Sequence, residues 1–241
     1  MEIFPAIDIQ GGQAVRLTQG DYARKTIYSP SPLDVALGFA ADGAANLHTV
    51  DLDGAKDGGL SNFEVIAGIR EHTDLFMQVG GGIRDRARVE RYLSIGVNRV
   101  ILGTAALENF DFLRGMVGLY GERVAVGVDA RDGKVAVRGW LEVSGTDSVE
   151  FCAKLGRAGV RTIIYTDIAR DGTGQGANIG IYKRLTCEVP EVRFIASGGV
   201  TFREELVQLE RAGAYGVILG KALYTGKLSL REILSAKGEA T

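Results

Sequence analysis

Apolar positions along this chain fall in short unbroken runs, separated by stretches with helical spacing. Runs such as Arg99-Val-Ile-Leu-Gly103 and Gly216-Val-Ile-Leu-Gly220 are too short for helices and show no polar alternation. That pattern predicts strands buried on both faces. Eight are predicted: Glu2 to Ile9, Asn46 to Leu52, Leu75 to Val79, Arg99 to Leu102, Val124 to Val128, Arg161 to Asp167, Arg193 to Ala196 and Gly216 to Leu219. Helices are predicted from Pro32 to Asp42, Ser61 to Glu71, Asp85 to Ile95, Asn109 to Leu119, Thr146 to Gly156, Ile179 to Cys187, Phe202 to Ala212 and Leu228 to Ser235. Pro32 suits a first helical turn, and Ser61 with Glu64 has capping-box spacing. A loose polar tail to Thr241 is expected.

Alternating strands and helices with short connections imply a parallel sheet. Eight units in 241 residues fit a closed (β/α)8 TIM barrel, with a doubly wound open sheet as the alternative. Three segments interrupt the alternation. Gln10 to Ser31, rich in Gly, Arg and Tyr, reads as a long functional loop. Asp132-Gly133 predicts a hairpin that projects a ribbon from Lys134 to Trp140. Asp171 to Gly176 reads as a mobile glycine-rich loop.

Several strands stop on glycine. Gly81 and Gly82 follow the third, Gly103 and Thr104 the fourth, Gly198 and Gly199 the seventh, Gly220 and Lys221 the eighth. Gly81 and Gly198 are 117 positions apart, and so are Gly103 and Gly220. One domain, 1–241, made of two similar (β/α)4 halves, about 1–121 and 122–241, explains the equal spacing. Glycine leaves backbone N–H groups bare and admits a ligand closely, and a following helix start favours an anion. The simplest ligand is a phosphate in each half. Lys221 adds charge to its loop, whereas Thr104 at the matching place can only hydrogen-bond; Gly176 joins this phosphate-binding set.

Composition narrows the function. With 46% hydrophobic residues the chain folds. A net charge of −2 argues against nucleic acid. No run is long and apolar enough for a membrane span, and the N-terminus does not read as a signal peptide. Cys152 and Cys187 read as buried thiols of a reducing cytoplasm. His48 and His72 do not by themselves make a metal site, no dinucleotide fingerprint is present, and no metal or cofactor is expected.

In such a barrel, chemistry collects at the C-terminal ends of the strands. Asp8, Asp51, Asp129, Thr166 and Asp167 stand there. Asp8 and Asp129 close the first strand of each half and are expected to face each other across the mouth, as a general base and a general acid. Asp51 and Asp167 are equally well read as caps. Trp140 either packs as core or stacks on a planar heterocycle. Arg16 either reaches a substrate phosphate or carboxamide, or is a solvated loop charge; His48 is expected to pack near the mouth rather than to act. Two anion grips, a base and an acid point to proton transfer on a phosphosugar; the other reading is a phosphosugar-binding sensor.

The segments Ile3 to Leu17, Val50 to Ala55, Val79 to Arg84, Val128 to Gly133, Tyr165 to Thr173 and Ile195 to Val200 together resemble the isomerase family of histidine biosynthesis, in family order from residue 1 to about 235. The resemblance implies a small ribotide substrate with a phosphate at each end, phosphoribosylformimino-aminoimidazole carboxamide ribotide. It implies an Amadori rearrangement of aminoaldose to aminoketose, with Asp8 as base, Asp129 as acid, Thr166 assisting and no cofactor. A cytoplasmic monomer is expected, with the Gln10 to Ser31 and Asp171 to Gly176 loops closing over substrate. The sister cyclase subunit of imidazole glycerol phosphate synthase usually opens Cys-Leu-Asp with a Lys-rich loop, whereas this chain has Ala6-Ile-Asp8 and Gln13-Ala-Val-Arg16. Relatives that also isomerise phosphoribosylanthranilate tend to end their third strand Ser-Gly-Gly, whereas this chain has Gly80-Gly81-Gly82.

Overall fold

A computed structural model describes residues 1–18 and 21–238. Its strands are β1 (Glu2–Gln10), β2 (Gln13–Thr18), β3 (Asp21–Ser29), β4 (Asn46–Asp51), β5 (Phe76–Gly80), β6 (Arg99–Leu102), β7 (Val124–Arg131), β8 (Lys134–Val137), β9 (Glu142–Asp147), β10 (Thr162–Asp167), β11 (Arg193–Ser197) and β12 (Gly216–Leu219). Eight of them form a parallel ring in the order β1, β4, β5, β6, β7, β10, β11, β12. The ring is shut by β12 against β1, from Glu2 beside Gly216 to Pro5 beside Leu219. Helices lie between consecutive ring strands, so the fold is a closed α/β barrel and not an open sheet.

The two-residue period of each strand divides its side chains between inside and outside. Phe4, Ala6, Ile101, Ala125, Ile164, Ile195 and Ile218 form the apolar filling of the ring. The intervening positions, among them Ile3, Ile7, Leu47, Val79, Val100, Val126, Ile163 and Val217, pack outward in the layer beneath the helices. On the β4 to β6 side the buried set is polar: His48, Gln78 and Arg99 stand side by side in register.

Several expectations are corrected. The segment read as a loop from Gln10 to Ser31 is an antiparallel ribbon, β2 with β3, that folds back on β1 through Asp8 beside Val15. Val15 and Leu17 are buried with Leu52, which fixes the ribbon against the barrel; Gln19 and Gly20 lie outside the described residues. The second ribbon forms at Asp132-Gly133 as expected, but β7 continues past Asp129 to Arg131 before turning. Thr146 belongs to β9, and the helix begins at Ser148 because the Asp147 carboxylate accepts the N–H groups of Val149 and Glu150. Ser61 does not cap: the helix is Phe63–His72, and Asn62 precedes it. Short helices unforeseen in the pattern run over Leu52–Asp57, Thr104–Glu108 and Lys221–Tyr224. The last helix is Leu230–Gly238; residues 239–241 of the expected tail lie outside the described residues. Cys152 is buried, but Cys187 is exposed, on the solvent side of the helix Ile179–Glu188. Among the described residues no helix is long and apolar enough to cross a membrane.

Candidate active site

The ring strands end in a bowl made of two adjoining cavities. The larger encloses about 1350 Å³, part of it open to solvent, and is lined by Asp8, Arg16, Gly81, Gly82, Gly103, Thr104, Asp129, Trp140, Thr166 and Asp171. The smaller, about 580 Å³, is lined by Gly198, Gly199, Gly220, Lys221 and Lys227. Arg16 and Asp171 line both, so they stand where the two meet. Gly176 lines neither cavity. Its carbonyl oxygen lies under Gly199, where an added Cβ would come within 2.5 Å of it.

Charge is concentrated at that junction. Arg16 Nη1 donates to Asp8 Oδ2 at 2.7 Å, and Arg16 Nη2 is 3.9 Å from Asp171 Oδ1. The three side chains are only 14, 12 and 15% exposed for Asp8, Arg16 and Asp171. Burial raises the pKa of Asp8; Arg16 pulls it back and Asp171 pushes it further up. Burial also raises Asp129, against the pull of hydrogen bonds from Trp140 and Thr166. The Trp140 bond, Nε1 to Asp129 Oδ2, is 2.7 Å. Asp171 is raised by burial too, with Arg16 and Lys221 opposing. Three carboxylates thus share one bowl, two of them with ordinary cations near and Asp129 with neutral donors.

Asp171 was missed as a site residue because it lies beyond the strand end, inside a glycine-rich stretch. The signal available was an acidic residue closing the turn that follows Thr166 and Asp167. Arg84, His48 and Lys227 also line the bowl without having been singled out for binding. Lys221 Nζ donates to the Gly172 carbonyl at 2.8 Å, so it holds the glycine-rich stretch in place as well as lining the smaller cavity. Thr104 Oγ1 accepts the Arg138 N–H at 2.9 Å, which ties the second ribbon to the end of β6.

Asp51 and Asp167 line neither cavity and act as caps. Asp51 accepts the Gly54 N–H at 2.9 Å and the Asn62 side-chain amide at 2.7 Å. Asp167 accepts the Ala169 N–H at 3.1 Å and the Asn178 side-chain amide at 2.8 Å. Each Asp backbone lies under a glycine turn. Gly81 has φ 102° and Gly198 φ 90°. A Cβ at Gly81 would overlap the Asp51 carbonyl, and one at Gly198 would come within 2.6 Å of the Asp167 carbonyl. Gly103 and Gly220 match as well, with φ, ψ of −101°, −112° and −111°, −106°, each opening a short helix. Among the described residues no group of three or more His, Cys, Asp or Glu side chains is placed to hold a metal ion.

Residues 2–229 match a family described as histidine biosynthesis protein. A protein of Brachyspira hyodysenteriae is 49% identical over 97% of this chain and 98% of its own length. One from Listeria monocytogenes is 48% identical over 98% of each chain, and one from Synechocystis 48% over 99% of this chain and 94% of its own. All three are named 1-(5-phosphoribosyl)-5-((5-phosphoribosylamino)methylideneamino)imidazole-4-carboxamide isomerase. With a family match over nearly the whole chain and relatives this similar, the chain belongs to the histidine biosynthesis protein family.

Proposed function

We propose that this chain is the aldose–ketose isomerase of histidine biosynthesis named in its relatives, acting on phosphoribosylformimino-aminoimidazole carboxamide ribotide by an Amadori rearrangement. The reaction opens the ribose ring with a proton on the ring oxygen, then removes the proton from C2 to give an enolamine, which becomes the ketose. It needs one acid, one base and exclusion of water. The carrying observation is that Asp8 and Asp129 line one cavity, adjoining glycine turns on two sides.

Asp8 is the base, because Arg16 beside it favours the carboxylate. Asp129 is the acid, because burial holds its proton and its partners Trp140 and Thr166 are neutral. Gly81, Gly82, Gly103 and Thr104 take one phosphate, and Gly198, Gly199, Gly220 and Lys221 the other. Gly176 supports the second cradle from below rather than touching substrate. Trp140 covers the sugar from the second ribbon, and Arg16 bridges the two ends. No cofactor takes part.

The repeated clasps support a duplicated origin: Asp51 with Asn62 and Asp167 with Asn178, each pair eleven residues apart and each under a glycine turn. The chain is then one barrel domain of two (β/α)4 halves, about 1–121 and 122–241, working as a cytoplasmic monomer without nucleic acid or membrane. The ribbon β2–β3 and the Asp171 to Gly176 stretch close over substrate. Action on phosphoribosylanthranilate, cyclase activity and a purely sensing role are not favoured. The test is turnover of purified protein on both ribotides: isomerisation of the bisphosphorylated one alone supports the reading, and turnover of phosphoribosylanthranilate at a comparable kcat/KM contradicts it.

A further inference from the structure

A polar line inside the barrel is not used by the proposed acid–base pair. Strand register sets His48, Gln78 and Arg99 beside one another on β4, β5 and β6. Arg99 is 4% exposed, with its Nε toward the Glu122 carbonyl at 3.3 Å and its guanidinium 4.9 Å from the Phe76 ring centre. Its Nη1 donates to Gln78 Oε1 at 3.2 Å. A guanidinium has only donors, so the amide oxygen must face it and the amide nitrogen must face the other way. Gln78 Nε2 lies 3.0 Å from His48 Nδ1. An amide nitrogen only donates, so Nδ1 is the acceptor and a neutral imidazole carries its proton on Nε2. His48 lines the larger cavity, and among the described residues its Nε2 has no hydrogen-bond partner.

We infer that Gln78 and Arg99 are positioning residues that lock His48 as the Nε2–H tautomer, so that it offers one neutral hydrogen-bond donor to a hydroxyl or carbonyl oxygen of the substrate. The ring stays uncharged: burial, with the Arg16 charge nearby, lowers its pKa to about 3. An uncharged donor suits this place. It orients a sugar oxygen without adding a cation that would compete with Arg16 for Asp8. The inference extends the isomerase reading but is tested separately from it.

The experiment is nitrogen NMR of the imidazole in unliganded protein, with steady-state kinetics on the bisphosphorylated ribotide. Wild type is expected to hold its His48 proton on Nε2 throughout about pH 5 to 8. Gln78→Glu keeps an acceptor beside Arg99 but cannot donate, and is expected to draw the proton to Nδ1. Gln78→Met removes the amide at similar length and is expected to give mixed tautomers. In Gln78→Glu, KM rises on the order of tenfold while kcat changes less; in Gln78→Met, where the competent tautomer stays part-populated, KM rises about twofold. A wild-type proton on Nδ1 overturns the assignment, and a reversed tautomer with unchanged KM overturns the substrate contact. A protein inactive on the ribotide yet holding the Nε2–H form supports the lock and contradicts the isomerase reading alone.

Discussion

The indole of Trp140, carried on the second ribbon, donates to the carboxylate of Asp129 at 2.7 Å. Trp140 has φ 71° and Arg138 φ 55°, so the ribbon reaches the carboxylate in a conformation that L-residues rarely adopt. Trp140→Phe keeps the ring and removes the donor. The hydrogen bond lowers the Asp129 pKa, so its loss lets that pKa rise further. An acid with a higher pKa keeps its proton to higher pH, so the alkaline limb of kcat/KM against pH moves up. We expect kcat/KM itself to fall on the order of tenfold.

Arg16 gives the opposite limb. Its charge lowers the Asp8 pKa against burial. In Arg16→Met that opposition is gone, Asp8 holds its proton to higher pH, and a base must be deprotonated to act. The acidic limb of kcat/KM therefore shifts to higher pH, read from the same titration of rate.

The two carboxylates differ in how much their ionised forms cost in stability. The Asp129 pKa is raised above 3.8 in the folded state. The native chain then binds its proton more tightly than the unfolded chain, so stability falls as pH rises from the unfolded pKa through the folded one. At neutral pH the ionised group is a net cost, and Asp129→Asn is expected to raise the melting temperature while removing turnover. A gain of about 1 kcal/mol would appear as about 2–4 °C. The Asp8 pKa is raised too, but Arg16 opposes that shift and Asp8→Asn leaves the guanidinium without its partner, so its melting temperature is expected to rise less than that of Asp129→Asn.

Gly81→Ala and Gly198→Ala place a Cβ against the Asp51 and Asp167 carbonyls at positive φ. Each is expected to destabilise by about 3 kcal/mol or more in denaturant unfolding, because backbone must move. Gly12→Ala, at positive φ but with no atom within 4 Å of the added Cβ, is expected to lose about 1 kcal/mol.

How much could be read without coordinates varied with the range of the forces. Arg99–Leu102 and Gly216–Leu219 matched to the residue, because a strand buried on both faces needs an unbroken apolar run and glycine ends it. The β2–β3 ribbon was taken for a loop because its pairing with β1 and its burial beside Leu52 are tertiary. Asn62 was overlooked at its helix start since its side chain serves Asp51 and Asp53 instead of the helix. Asp8, Asp129 and Thr166 were legible as polar positions near strand ends, although β1 and β7 run on to Gln10 and Arg131 because each continues into a ribbon. Asp171 was not, because only the fold of its loop turns it toward Arg16.

In the proposed mechanism Asp8 removes a sugar proton in a bowl that grips the substrate at both ends. This step is tested most directly by comparing wild type and Asp8→Asn for turnover and for binding of the bisphosphorylated ribotide. The variant is expected to bind within about threefold of wild type and to turn over at least about a thousandfold more slowly. A variant that binds as well and still isomerises near the wild-type rate would contradict it.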